Sequence, residues 1–178
     1  NEPAFCFFPT KEVTNLNFIV HAPFLLTDSR EGIRAGVPHN DAMLQRLAAL
    51  AADATVYLRD IGSDGSVRLI TDNIVNIIPF DSEKFSDPVD KRKVSFLPFY
   101  SSIKEKFANE ALLPSNDGYV VTADAYWAAV PQLANLFSDS QLGQICENPN
   151  AHWVFVSLGR DEIQRNNKAL FAYIDSLV

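Results

Sequence analysis

The stretch NDAMLQRLAALAADATVYLRDIG, Asn40 to Gly62, decides how the fold is read. Leu44, Leu47, Ala48, Ala51, Ala54, Thr55, Leu58 and Ile61 recur at three- and four-residue steps. That period puts them on one face of an α-helix and predicts a helix over Asp41 to Ile61. Asn40 is a good N-cap, and Asp41 suits the positive end of the helix dipole. Gly62 is placed to close the helix in a left-handed cap. The many alanines predict close packing against a sheet or another helix.

Upstream, the residues are β-formers. Ala4-Phe5-Cys6-Phe7-Phe8 is an aromatic run stopped by Pro9, and Leu16 to Val20 is a second run. Thr10 to Asn15 reads as the polar connection between them. His21 to Leu26 continues extended, with Pro23 marking an edge or strand end. Thr27 to His39 carries Gly32, Gly36 and Pro38 and reads as a loop, with a helical turn possible over Ser29 to Ile33.

Downstream, Ser63 to Ser66 is a turn, and Val67 to Phe80 is ambiguous. Asp81 to Lys93 is charged, contains Pro88 and reads as an exposed linker. Ser95 to Glu110 has helical spacing through Phe99, Ile103 and Phe107, with Pro98 tolerated in the first turn. Ala111 to Pro114 and Tyr119 to Thr122 read as strands around the Asp117-Gly118 turn signal. A helix carrying Tyr126, Trp127 and Val130 is expected next, ending near Pro131. Short helices are expected over Gln132 to Phe137 and Asp139 to Cys146. His152 to Val156 reads as a strand and Asp161 to Leu177 as one amphipathic helix. The order is mixed and shows no fixed-period repeat. The fold class is therefore α+β (or α/β): a mixed sheet packed by a long Ala-rich helix, then a smaller α/β segment. The expected divisions are 1–80, a charged linker at 81–93, and 94–178.

Composition narrows the function classes. The chain has 178 residues, 47% of them hydrophobic and 21% charged, which is ordinary for a folded protein. Fifteen Lys and Arg against 22 Asp and Glu leave a net charge of −7. An acidic chain is poorly suited to neutralising phosphates, so no nucleic-acid partner is expected. No apolar run approaches the roughly 20 residues of a membrane-spanning helix, so no membrane partner is expected either. Residues 1–8 lack the basic start and long apolar stretch of a secretory signal. Cys6 and Cys146 are too few and too far apart for a disulfide framework or a zinc site. A cytoplasmic location is the simplest expectation. The chain begins with Asn1 rather than Met, and a piece of a longer protein is expected.

Several familiar motifs are missing. There is no G-x-x-x-x-G-K-[ST], G-x-G-x-x-G or G-x-S-x-G. His21, His39 and His152 fit no local metal motif, so no metal site is expected. Cys6 with His21 would make a thiol and base only if both were accessible, whereas burial predicts an inert thiol. Asp60-Ile61-Gly62-Ser63-Asp64-Gly65 nearly spells D-x-G-x-G, a nucleotide-contacting box, but Asp64 replaces the second glycine. A helix cap followed by a turn accounts for every residue there. A hydrolase would need acids or histidines converging on one pocket, and the sequence displays no such cluster.

The sharper signal is Leu26-Thr27-Asp28-Ser29-Arg30-Glu31, which follows the strands and precedes the long helix. Arg30 paired with Asp28 or Glu31 would be an ordinary surface ion pair. An unpaired arginine on a loop is instead an anion hook, permanently charged and forked to match phosphate oxygens.

Phe5 to Thr10 and Leu16 to Glu31 together resemble the segment just after the ATP-binding domain of sacsin-like ATPases of the GHKL superfamily. The Ser29-Arg30-Glu31 step before a long helix also resembles the middle domain of the ninety-kilodalton heat-shock chaperones. Ala111 to Ala125 resembles a hairpin-plus-helix segment found downstream in sacsin-like proteins. The loop from Gly32 to His39 is longer than the chaperone pattern.

The resemblance implies a transducer-like middle region of a larger chaperone-type ATP-binding protein. It implies that Arg30 contacts the ATP γ-phosphate, supported by Asp28, Ser29 and Glu31. The magnesium-binding asparagine helix and both glycine boxes of that family are absent from this chain. ATP and Mg are therefore expected in the parent protein, with no cofactor held by this segment. The implied partner is the upstream ATP-binding domain of the same polypeptide, with a protein client possible. The alternative is an interaction or scaffold module using aromatics around Tyr126 and Trp127, or Phe96, Phe99 and Tyr100.

Overall fold

The computed structural model describes residues 2–62 and 67–178. The near-miss D-x-G-x-G box therefore lies partly outside the described residues. The fold is α+β, with a long helix packed on a small mixed sheet. Two compact units divide it: residues 1–54 with 76–104, and residues 55–75 with 105–178.

In the first unit, β1 (Pro3–Cys6) and β2 (Phe8–Val13) form a tight antiparallel hairpin, and β3 (Val20–His21) pairs parallel to β1. The strand order is β2-β1-β3. Pro9 is not the stop expected for the first run: β1 ends at Cys6, and Pro9 lies within β2. An edge strand tolerates the missing N–H. The expected connection at Thr10 to Asn15 is therefore largely strand, and Leu16 to Ile19 is largely irregular. The chain reverses at Phe7 (φ 62°), whose N–H donates to His21 Nε2 at 3.1 Å.

The helix α1 (Pro38–Gly62) starts three residues before the expected Asp41. Pro38 suits a first turn because the N–H it lacks would have no intrahelical acceptor. Asn40 is not the N-cap. It is fully buried within the first turn, and its side chain is committed elsewhere. Leu44 and Ala48 join Ala4, Cys6, Leu16, Val20, Phe24 and Ile33 in one apolar cluster. At the other end, Leu58 and Ile61 are exposed although the helical period put them on the buried face. Gly62 does not adopt the expected left-handed cap. A Cβ there would lie 3.0 Å from both Val67 O and Leu69 N, so close backbone approach is what favours glycine.

Residues 81–93 carry more structure than a linker. Ser82–Phe85 forms a 3-10 turn capped by Asp81, and Phe85 is buried in the same cluster. Its ring stacks on Tyr100 with centroids 5.9 Å apart. The helix α2 (Leu97–Asn109) matches the expected span, with Phe99, Ile103 and Phe107 all buried.

In the second unit, β4 (Leu113–Pro114) and β5 (Tyr119–Val120) form the expected hairpin. Arg68 Nη1 donates to Ser115 O at 2.8 Å and Asn116 O at 3.1 Å, and Nη2 donates to Gly118 O, holding the turn. The expected helix through Tyr126 and Trp127 is instead a short 3-10 turn followed by β6 (Ala125–Trp127). Its partner is β7 (His152–Val154), and the two are parallel. The crossover between them contains α3 (Pro131–Leu136) and α4 (Asp139–Ile145), the two short helices expected over Gln132 to Phe137 and Asp139 to Cys146. Ser138 and Gln141 form a capping box at α4.

The expected helix at 161–177 is two helices, α5 (Arg160–Asn166) and α6 (Lys168–Asp175). Asn167 separates them, leaving helical geometry at φ −149° and ψ 84° to cap α6 through Leu170 N. An asparagine that offers its side chain to the backbone favours such a cap over a helix interior.

Candidate functional site

The loop between β3 and α1 is closed on itself before it presents any side chain. An antiparallel bridge joins Leu26 to Ile33. Thr27 N donates to Gly32 O at 2.9 Å, Gly32 N to Thr27 Oγ1 at 3.2 Å, and Arg30 N to Thr27 O at 2.8 Å. These bonds give a folded-over turn with Arg30 near its tip, rather than the helical turn considered for Ser29 to Ile33. Arg30 sits at φ 58°, a left-handed conformation that costs a residue with a side chain about 1 kcal/mol.

Both acidic neighbours of Arg30 are engaged by other cations. Asp28 Oδ1 accepts from Arg34 Nη2 at 2.7 Å, and Glu31 Oε1 accepts from Lys11 Nζ at 2.6 Å. Among the described residues, Arg30's guanidinium has no ion-pair or hydrogen-bond partner. The local pairing of Arg30 with Asp28 or Glu31 is therefore not the arrangement adopted. Ser29 contributes only Oγ, 3.3 Å from Thr27 Oγ1.

Arg30 lines a groove of about 520 Å³ whose other walls include Phe7, Phe8, Pro9, Leu26 and Asp28. Phe7 and Phe8 are each 78% exposed. The hairpin tip thus places two aromatic rings beside one uncompensated cation. The aromatics named for the interaction alternative are largely core instead. Trp127, Phe96 and Phe99 are buried, while Tyr126 and Tyr100 are half-buried. The alternation of β1, with Ala4 and Cys6 buried, already placed Phe7 on the outward set.

Chain comparisons add no relative: no protein-family model, curated protein or solved structure matches this chain.

Cys6 and His21 do not form a thiol–base pair. The buried Cys6 Sγ–H donates to Phe24 O at 3.3 Å, while His21 Nε2 accepts from Phe7. Among the described residues, no three His, Cys, Asp or Glu side chains are placed to hold a metal ion. No helix among them is long and apolar enough to cross a membrane.

One convergence was invisible in the sequence. His152 Nδ1 lies 2.6 Å from Asp139 Oδ2, and both line a cavity of about 610 Å³. Thirteen residues separate them. Only the parallel return of β7 beside α4 brings them together.

Proposed function

We propose that this chain is a transducer-like region of a larger ATP-binding protein of the GHKL type, in which Arg30 supplies positive charge to the ATP γ-phosphate. The observation that supports this reading is the uncompensated Arg30 guanidinium on a turn whose own carboxylates are neutralised by Arg34 and Lys11. A permanent, forked cation of this kind stabilises the charge that develops on phosphoryl oxygens. The upstream ATP-binding domain of the same polypeptide would hold the nucleotide and Mg, and this region would transmit nucleotide state. The chain by itself is expected to bind ATP weakly and to show no ATP turnover.

ATPase activity of the parent protein carrying Arg30→Ala tests the role. A supplied arginine is worth about 10³-fold or more in turnover. Unchanged turnover removes Arg30 from the reaction.

A second reading, an interaction module without a nucleotide role, is favoured by the exposure of Phe7 and Phe8. Paired aromatics of this kind concentrate in binding hot spots. Loss of a protein partner in a Phe7→Ser/Phe8→Ser variant, with parent ATPase unaffected by Arg30→Ala, selects this reading.

A further inference from the structure

The cavity beside α4 has the parts of a proton-abstracting site, independent of Arg30. Asp139 uses both oxygens: Oδ1 accepts the Trp153 N–H at 3.1 Å, and Oδ2 meets His152 Nδ1 at 2.6 Å. The carboxylate is fixed by the backbone of β7 and in turn fixes the imidazole. A carboxylate accepts only, so the neutral ring carries its proton on Nδ1 and leaves the Nε2 lone pair available. Among the described residues, Nε2 has no partner. The His152 and Asp139 side chains are 38% and 23% exposed, so the ring reaches solvent while the carboxylate is more sheltered.

The remaining lining defines the ligand class. Ser140, Gln144 and Glu147 contribute a hydroxyl, an amide and a second carboxylate. Among the described residues, the lining has no lysine or arginine. Two carboxylates without a facing cation disfavour phosphate and carboxylate substrates and favour neutral or cationic ones. Gly143 shapes the wall, since a Cβ there would lie 2.8 Å from Asn148 O.

We propose that His152 is the general base of a hydrolytic site for neutral or cationic carboxylic esters, with Asp139 as its positioning residue. Water attacks the ester carbonyl carbon while Nε2 takes one of its protons. The tetrahedral intermediate collapses, the bond from the carbonyl carbon to the alcohol oxygen breaks, and the imidazolium returns the proton to the leaving alkoxide. The ester and one water become a carboxylic acid and an alcohol, and the enzyme is unchanged.

Hydrolysis of p-nitrophenyl acetate, acetylcholine and p-nitrophenyl phosphate by the purified chain tests this. The neutral and cationic acetates should be cleaved faster than by equimolar free imidazole, and the phosphate should not be cleaved. His152→Gln should lower the acetate rate by about a hundredfold. Asp139→Asn should lower the rate and move its pH profile, which loss of folding, followed by circular dichroism, would not do. His21 and His39 remain in the His152→Gln variant. A loss of only about a third is therefore generic imidazole catalysis and overturns the proposal. A wild-type rate no greater than that of free imidazole overturns it as well, whatever the fate of Asp139→Asn. Preference for the phosphate overturns the assigned substrate class.

Discussion

Asn40 holds Leu25 by both of its backbone groups. Asn40 Oδ1 accepts from Leu25 N at 2.8 Å, and Asn40 Nδ2 donates to Leu25 O at 2.8 Å. The same Nδ2 donates to Arg34 O at 2.8 Å. One fully buried amide in the first turn of α1 therefore satisfies three backbone groups of the loop that presents Arg30. Asn40→Ala strands Leu25 N and Arg34 O, while Leu25 O keeps the Arg34 N–H at 2.9 Å. Leaving a buried polar group unsatisfied costs about 1–3 kcal/mol, so a loss of about 3 kcal/mol is expected in urea unfolding. A change below about 1 kcal/mol would mean that water replaces the amide without penalty.

Phe85 and Val89 test whether residues 81–93 belong to the packed structure. Phe85 is 3% exposed and stacked on Tyr100, while Val89, four residues on, is 101% exposed. Phe85→Ala should cost about 3–5 kcal/mol, the usual loss for an emptied phenylalanine site. Val89→Ala should stay within about 0.5 kcal/mol of the unmodified chain. Equal effects of the two substitutions, measured by thermal or urea unfolding, would show a segment without this packing.

Glu12 gives stability a defined pH dependence. Burial pushes its carboxyl above the ordinary value of 4.5, opposed by the Ile33 N–H and by Lys93. The folded chain thus holds the proton more tightly than the unfolded chain. Between the ordinary and raised values the folded state binds more protons, so this contribution to stability falls as pH rises through that window. Asp90 has the opposite sign: hydrogen bonds from Arg92 hold its carboxyl down to about 2, and its contribution is lost as pH falls. Comparing the unmodified chain with Glu12→Gln cancels Asp90, which both carry. The variant should gain relative stability as pH rises past the ordinary carboxyl value and level off once Glu12 is ionised in the folded chain. A difference that stays constant across that range would show that Glu12 titrates alike in both states.

Much of this fold was legible because period and turn chemistry acted locally. The Phe99, Ile103 and Phe107 stripe gave α2, and Asp117-Gly118 gave the β4–β5 hairpin. The failures occurred where tertiary pairing outweighed local preference. Tyr126 and Trp127 entered a strand because β7 was available beside them in parallel, a pairing separated by 27 residues along the chain. Asn40 looked like a cap because its side chain can bond backbone, and it does so, but on Leu25 and Arg34 rather than on its own helix. At the candidate site, the loop and Arg30 were readable. Its free guanidinium was not, because Lys11 comes from β2 and Arg34 from beyond the loop's bridge. The His152–Asp139 pair was hidden for the same reason: no local spacing records a crossover.

The Arg30 backbone separates stability from function at one position. With φ at 58°, any side chain at residue 30 is strained, and glycine is not. Because no described partner holds the guanidinium, removing it forfeits no interaction that offsets the strain. Arg30→Gly should therefore stabilise the chain by about 1 kcal/mol, whereas Arg30→Ala keeps the strain and should be close to neutral. Glycine also gains freedom in the unfolded chain, which lowers the benefit and makes a large gain unexpected. Urea unfolding of both variants beside the unmodified chain measures the difference. If Arg30→Gly proves less stable than Arg30→Ala, the arginine conformation is not strained and its retention needs no functional reason. If it is more stable, an arginine is being kept where the fold itself prefers glycine, as expected of a residue retained for an anion supplied from outside this chain.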